Sequence, residues 1–441
     1  MSLVPHLAFL PQPSPVTQYD AVVVGAGPYG LSTAAHLIGR GLTVAVFGKT
    51  FEFWRNHMPK DMLLRSHWWA TNLSDPGRQY GFERYFRESK YQKCFPVPLE
   101  AFIDYGLWFQ KRAVPHVDET YVSSIQREGN HFVLTLEDGR TVQSAVVVMA
   151  IGVYYYAHWP EEFGHLPSGL ASHSCQHNDL GRFKGQQVLV VGGGASGTDY
   201  AALLHEAGAS VHVVTHRPIL WFGPDRTNER TIRERILAPN NGIAPGWPSW
   251  ILEHVPFFFN LFPQEAKDKY NSNYQSGATD WLREGIIGKA TLHEGHRVVT
   301  MSVVEGKVDA VISDGAKVRV DHVIMATGYK VDIGKLTMIH PSLLGEIKTD
   351  MSIPLLNHRF ESSVPGLYFV GLTSVRAFGP LYRFVVGCKA AARRVASSVT
   401  RKRVGRSPAA AAEDLLEIVM RRSARACFRA LKNNSIYQRS L

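Results

Sequence analysis

A strand, a glycine turn and a helix occur twice in this chain, and each copy is followed by the same succession of elements. The first copy begins with the apolar run Asp20 to Val24, passes through Gly25-Ala26-Gly27-Pro28-Tyr29-Gly30 and continues into the helix-like LSTAAHLIGRG. The second begins at Gln187 with VLVV, turns at Gly192-Gly193-Gly194-Ala195-Ser196-Gly197 and continues into TDYAALLHEAG and the strand SVHVV. Downstream of the first copy lie HFVLTL, a turn at Asp138-Gly139 and the strand TVQSAVVVMA, which runs out at Gly152. Downstream of the second lie VDAVIS, a turn at Asp314-Gly315 and KVRVDHVIMA, which runs out at Gly328. The spacings from Gly139 to Gly152 and from Gly315 to Gly328 are both 13 residues. Self-similarity of this length prescribes the same unit twice, a βαβ element followed by a β-meander. The fold class expected is α/β, with two nested Rossmann-like dinucleotide-binding domains.

The chemistry of such a turn explains its glycines. The first permits the tight turn, the second lets backbone N–H groups approach a diphosphate, and the third lets helix and strand pack closely. An anion then sits at the helix N-terminus, where unpaired N–H groups and the helix dipole favour it.

At 441 residues the chain has room for two or three compact units. The expected division is an N-terminal arm over 1–17, a first dinucleotide domain over 18–160, an inserted second one over 161–325, a return to the first over 326–400 and a basic tail over 401–441. Residues 221–262 form an aromatic- and Pro-rich segment, as in WFGPDR, APGWPSW and VPFFFNLF. It reads equally as a substrate-channel lining and as a packing or membrane-facing insertion. No apolar run reaches the roughly 18 residues of a spanning helix. The Pro-broken N-terminus does not read as a signal peptide. Cys94, Cys175, Cys388 and Cys427 are too scattered for a disulfide framework or a C-x-x-C pair, which fits a reducing cytoplasm.

The net charge is +10, but residues 401–441 carry ten Lys/Arg against Glu413, Asp414 and Glu417, so the tail supplies +7 of it. The body is close to neutral, and nucleic acid is not the expected partner. The tail's AAAAEDLLEIVMRRSARACFRALK is helical in pattern, with apolar and basic sides. It suits packing on its own domain or a partner, or lying on an anionic membrane surface.

On the two glycine turns and their matching strands, residues 18 to 395 resemble the two-dinucleotide-binding flavoproteins. In that group the first turn holds FAD and the second a nicotinamide nucleotide. Within it the chain is similar to the class B flavin monooxygenases, including N-hydroxylating and Baeyer–Villiger enzymes. Their F-x-G-x-x-x-H-x-x-x-F/W/Y signature is matched by Gly169 and His173, while Pro167 and His177 replace its aromatics. Further points of likeness are Trp54-Arg55, Thr71-Asn72 and Ser196. PVPLEAFIDYGLWF, with Asp104, Tyr105 and Trp108, looks like the N-hydroxylases.

The resemblance implies that FAD is bound by Gly25, Gly27, Pro28, Tyr29 and Gly30, with Trp54, Ala150 and Gly152 beside it. NADPH, or NADH, would be bound by Gly192, Gly194, Ser196 and Gly197, and Thr327 and Gly328 would mark the second interdomain crossing. Gly371 would end the strand returning to the flavin, and Pro380 would open the helix that points at its ring system. The acidic ribose-binding residue expected about 20 residues after the first turn is absent from Gly48-Lys49, leaving that role to backbone or to Arg55. After the second turn Arg217 suits the 2′-phosphate of NADPH. Asn72 would hydrogen-bond near the oxygenated flavin, Trp54 would pack beside the ring system, and His173 would act as a structural hinge by the nicotinamide.

The implied activity is that of an FAD- and NAD(P)H-dependent monooxygenase, forming a (hydro)peroxyflavin from dioxygen and oxygenating a small organic molecule. N-hydroxylation, Baeyer–Villiger insertion and heteroaromatic hydroxylation stay open, as does the oligomeric state. The sequence contains no G-x-S-x-G elbow and no H-E-x-x-H, neither of which such an enzyme needs. The alternatives are a non-oxygenating flavin dehydrogenase, oxidase or disulfide reductase, and a catalytically silent binding or membrane-scaffold protein.

Overall fold

The computed structural model describes residues 17–242 and 244–404. The arm expected over 1–17 and the basic tail expected over 401–441 fall almost entirely outside them.

Two parallel sheets dominate. In the first, strands are ordered Leu367–Phe369, Val147–Met149, Ala21–Val24 and Val44–Phe47. The second runs Ala171–His173, His322–Met325, Gln187–Val191, Ser210–Thr215 and Thr291–Glu294. Each sheet is buried on both faces, as parallel sheets must be. Along Ala21–Val24 successive side chains enter opposite cores, Ala21 and Val23 on one side and Val22 and Val24 on the other. Along Gln187–Val191, Val188 and Val190 face one core and Leu189 the other. This two-sided burial accounts for the unbroken valine runs.

Each sheet has a meander beside it, one from Val122–Glu128, His131–Leu136 and Thr141–Ser144, the other from Val298–Val304, Lys307–Ile312 and Lys317–Val320. Here the sequence expectation needs correcting, and in the same way in both halves. TVQSAVVVMA and KVRVDHVIMA read as single strands, yet each serves two sheets. Thr141–Ser144 belongs to a meander and Val147–Met149 to the parallel sheet; Lys317–Val320 and His322–Met325 divide likewise. The break in the second is held at Asp321, whose N–H donates to the Gln187 carbonyl while its carboxylate accepts from the Gln187 N–H, both at 2.8 Å.

The first helix, Pro28–Ile38, packs along the last described helix, Cys388–Val404, so the end of the described chain closes over its beginning. The two passages between the sheets are neighbours. Ala157 bridges Tyr329, the His158 N–H donates to the Gly328 carbonyl at 2.9 Å, and the Thr327 hydroxyl donates to the His158 carbonyl.

Candidate dinucleotide cavity

Both glycine turns lie at the C-terminal ends of central parallel strands, where the strand order reverses and ligands of such sheets bind. Their stereochemistry is the same. Gly25 has φ +108° and Gly192 has φ +122°, a region L side chains rarely adopt. A Cβ on Gly25 would collide with the Ala150 carbonyl, and one on Gly192 with the Ala326 carbonyl. A Cβ on Gly30 or Gly197 would collide with the carbonyl of Gly25 or Gly192. These four glycines are required by the protein's own backbone. Gly27 differs: a Cβ there would meet nothing within 4 Å. It faces open space at the N-terminus of Pro28–Ile38, where a diphosphate needs the backbone bare. Gly194 is similar, with only the Ser276 hydroxyl near, at 3.0 Å.

One cavity of about 1650 Å³ is lined by Gly25, Gly27, Pro28 and Tyr29 of the first turn and by Gly194, Ala195 and Ser196 of the second. A pocket for a single drug-sized ligand takes roughly 300–1,000 Å³. Trp54, Ala150, Gly152, Gly328 and Gly371 also line it. Gly30, Gly192 and Gly197 stand behind the lining in the steric roles just given. Pro380 is buried, and Thr327 and Arg217 lie outside the lining as well. Arg217 follows the strand Ser210–Thr215, its carbonyl accepting from the Thr215 hydroxyl at 2.9 Å, while Thr215 is the side chain that a Cβ on Gly193 would strike.

Two expectations are corrected by the geometry. Asn72 does not line the cavity. Its Oδ1 accepts from the Phe82 N–H at 2.6 Å and its Nδ2 donates to the Trp69 carbonyl at 2.7 Å, so it ties a loop to the start of the helix Phe82–Glu88. Arg55 is exposed and outside the lining. It lies on the helix Glu52–Asn56, which presents Glu52, Phe53 and Trp54 to the cavity and turns positions 55 and 56 to solvent. For residues 221–262, read equally as channel lining or as a packing or membrane-facing insertion, the described residues favour packing: none of them lines the cavity, and Leu252 and Phe259 are buried in the core of the first sheet, where they pack on Gly379. The cavity wall on that side comes from Asp268, Asn271 and Ser276 and from residues 351–353 and 370–385. Of the likeness to N-hydroxylases, Tyr105 is a core residue bonded through its hydroxyl to Leu73 and Tyr80, and Asp104 meets the Tyr91 hydroxyl at 3.0 Å.

The histidines of the signature are buried and neutral. His173 Nδ1 accepts from the Cys175 N–H at 3.2 Å, which leaves Nε2–H to donate to the Gly328 carbonyl at 3.1 Å, beside the crossing. Burial brings its pKa down to about 4. His177 fills an aromatic slot of the signature, its ring edge-on to Phe183 with centroids 5.0 Å apart. Ser172 lies between His177 and His322, at 2.6 and 2.7 Å from their Nε2 atoms. Because His322 Nδ1 faces the Gly169 carbonyl and donates to it, its Nε2 accepts from Ser172, and His177 Nε2–H donates to the Ser172 oxygen. These groups set the crossing in place; none of them lines the cavity.

Two residues that sequence reasoning missed line the cavity as a pair. Arg65 meets Asp199 at 2.9 Å, and Asp199 is on the second glycine helix, Ala195–Glu206. A buried acidic residue two positions beyond a glycine turn needs a cation, but nothing in the sequence indicates which segment supplies it.

The fold and the two cradles resemble those of the two-dinucleotide-binding flavoproteins. Among these the chain is similar to the class B flavin monooxygenases. Residues 22–236 match the model of the pyridine nucleotide-disulphide oxidoreductase family. A probable indole-3-pyruvate monooxygenase, YUCCA1 of Arabidopsis thaliana, is 25% identical over 394 residues, covering 80% of this chain and 85% of its own. A ferredoxin–NADP reductase of Ignicoccus hospitalis is 28% identical over 228 residues, covering 51% of this chain and 65% of its own. Among solved structures, the ornithine N-hydroxylase KtzI of Kutzneria sp. 744, described with reduced FAD, NADP⁺ and L-ornithine, superposes with a TM-score of 0.67 at 17% identity, over 88% of this chain and all of that one.

Proposed function

We propose that this chain is an FAD- and NADPH-dependent monooxygenase of a small organic molecule. The observation that carries the reading is that both glycine cradles open into one cavity, so that two nucleotides held there share a single enclosed space. FAD bound there would supply the redox chemistry between a nicotinamide nucleotide and dioxygen. The protein's part is to bind, orient and exclude water. The bare backbone at Gly27 and Gly194 receives the diphosphates, and Trp54, half-buried and edge-on to Phe102 with ring centroids 4.8 Å apart, forms a rigid wall. Arg65 and Asp199 fix the second helix against the first domain, and Arg217 binds the 2′-phosphate of NADPH.

A disulfide reductase shares this layout but needs a reactive cysteine pair at the flavin. Among the described residues no cysteine lines the cavity. Cys175 and Cys388 are buried thiols whose pKa values burial pushes up, to about 11 and about 12, away from the thiolate such chemistry uses.

Purified protein supplied with FAD and NADPH should consume dioxygen faster in the presence of a substrate from a panel of amines, ketones, heteroaromatics and carboxylic acids, with ¹⁸O from ¹⁸O₂ appearing in the product. Electron delivery to ferredoxin or a disulfide, with all consumed oxygen recovered as peroxide for every compound, would overturn the oxygenase reading.

A further inference from the structure

Three apolar side chains of one short helix stand largely in water. Ile232, Ile236 and Leu237, on the helix Ile232–Leu237, are 79%, 65% and 66% exposed, and no residue of that helix is buried. Among the described residues Met351 alone is a large apolar side chain as open as these. Leu252 and Phe259, further along the same segment, reach the core; these three do not. A helix of six residues has too few hydrogen bonds to persist by itself, and packing does not hold this one. Its ends do. The Thr231 hydroxyl accepts from the Glu234 N–H at 3.3 Å, and the Glu234 carboxylate accepts in return from the Thr231 N–H at 2.7 Å. Arg230 braces the other end, donating to the carbonyls of Glu234 at 2.8 Å and Ala238 at 2.6 Å and to the Asn240 side chain. The helix is therefore preformed with its apolar side chains uncovered.

The phase of the side chains round the helix is a second observation. At about 100° per residue, Arg235, Ile232, Ile236, Arg233 and Leu237 fall in that order on one arc of about 200°, and Glu234 alone falls outside it. Arg233 and Arg235 are exposed and pair with no carboxylate among the described residues. Of the neighbouring acids, Asp225 faces His67 at 3.1 Å and Glu234 is taken up by the cap, which leaves Glu229. The open face thus combines apolar side chains with cations. A second copy of this chain would set these arginines against their own counterparts, and the chain's own tail, +7 over residues 401–441, would meet them with like charge. A folded partner needs roughly 800 Å² of matched surface, whereas a helix of six residues is only about 9 Å long. An anionic lipid surface makes no such demand, because single apolar side chains enter its headgroup layer while arginines meet its phosphates.

We propose that the helix Ile232–Leu237 docks on an anionic membrane surface, with Ile232, Ile236 and Leu237 entering the headgroup layer and Arg233 and Arg235 pairing with lipid phosphates. The helix is seated beside the cavity. Asp225, ahead of it, meets His67, next to the lining residue Ser66, and Gly242, behind it, abuts Val386, next to the lining residue Val385. Docking brings that side of the cavity wall to the lipid. The inference stands apart from the oxygenase reading, since no residue of this helix lines the cavity.

The test uses FAD-loaded full-length protein and vesicles of phosphatidylcholine, alone or mixed with phosphatidylglycerol, with sedimentation of the protein alongside the vesicles as the readout. The parent should bind the mixed vesicles more tightly than those of phosphatidylcholine, and added salt should weaken that binding. The triple variant Ile232→Ser, Ile236→Ser, Leu237→Ser should lose about tenfold or more in affinity for the mixed vesicles. Because the three side chains are exposed, its melting temperature and FAD content should stay those of the parent. Arg233→Gln with Arg235→Gln should reduce the preference for phosphatidylglycerol. Equal binding by parent and triple variant would assign the membrane affinity to the basic tail and overturn the proposal, as would a parent that binds neither vesicle. Self-association that the triple variant loses, without vesicle binding, would overturn it too and give the face to a second copy.

Discussion

Arg65 holds Asp199 across the boundary between the two nucleotide lobes, at 2.9 Å and with both side chains at least four-fifths buried. The same guanidinium donates to the Ala195 carbonyl at 2.8 Å, the Thr198 hydroxyl at 3.0 Å and the Gly277 carbonyl. Burial lifts the pKa of the Asp199 carboxyl, and the Arg65 charge works against that rise. Arg65→Ala would leave a carboxylate and three backbone or hydroxyl acceptors without their donor, and should cost about 3–5 kcal/mol. The double variant Arg65→Met, Asp199→Leu should lose much less, because it removes both charges. Denaturant midpoints of the three proteins check this, and equal losses would show that the charge pair is not the source.

The glycine turns separate two kinds of requirement. Gly30→Ala drives a methyl into the Gly25 carbonyl and should destabilise the free protein. Gly27→Ala meets no protein atom within 4 Å, so the melting temperature without cofactor should stay close to that of the parent. Its FAD affinity should fall by about tenfold or more, since the methyl occupies the approach of the diphosphate. Retained FAD affinity in Gly27→Ala would contradict the cradle assignment.

Arg217→Ala should raise the KM for NADPH by about ten- to a hundredfold while leaving NADH nearly unchanged. Equal effects on the two nucleotides would take the 2′-phosphate role from this residue.

Acid should weaken the fold through buried histidines. Burial lowers the pKa of His36, His173 and His177 from 6.5 to about 4. In each the folded value lies below the unfolded one, so stability is complete above about pH 6.5. It falls between pH 6.5 and 4 as the unfolded chain takes up protons that the folded one refuses. The slope is about 1.4 kcal/mol per pH unit for each histidine. Urea midpoints between pH 7.5 and 4.5 should show this, and His177→Phe, which keeps the contact with Phe183, should flatten the curve.

Asn72→Ala removes two backbone-directed hydrogen bonds, and the Phe82 N–H loses its acceptor. The expected cost is about 1–3 kcal/mol of stability, with FAD affinity unchanged.

The nested α/β architecture could be read from the chain because its causes are local and repeated. The glycines at 25, 30, 192 and 197 are dictated by carbonyls that every such turn brings to the same place, and the valine runs reflect sheets covered on both faces. Where an assignment depended on helical phase or on a distant partner, local pattern was not enough. Arg55 sits one step round a short helix from the cavity, and Asn72 spends its side chain on its own loop. The aromatics of 221–262 give no sign of whether they face ligand or core. Arg65 looks like any other arginine in the sequence; only the fold reveals that it has a carboxylate waiting.

The adjacency of the two connections at Ala157 and Tyr329 also has a mechanical consequence. Two covalent links lying side by side act as a strap that keeps the second lobe from sliding away from its neighbour. Arg65 grips the second helix away from that line, and His57 and Asn178 add bonds across the same boundary.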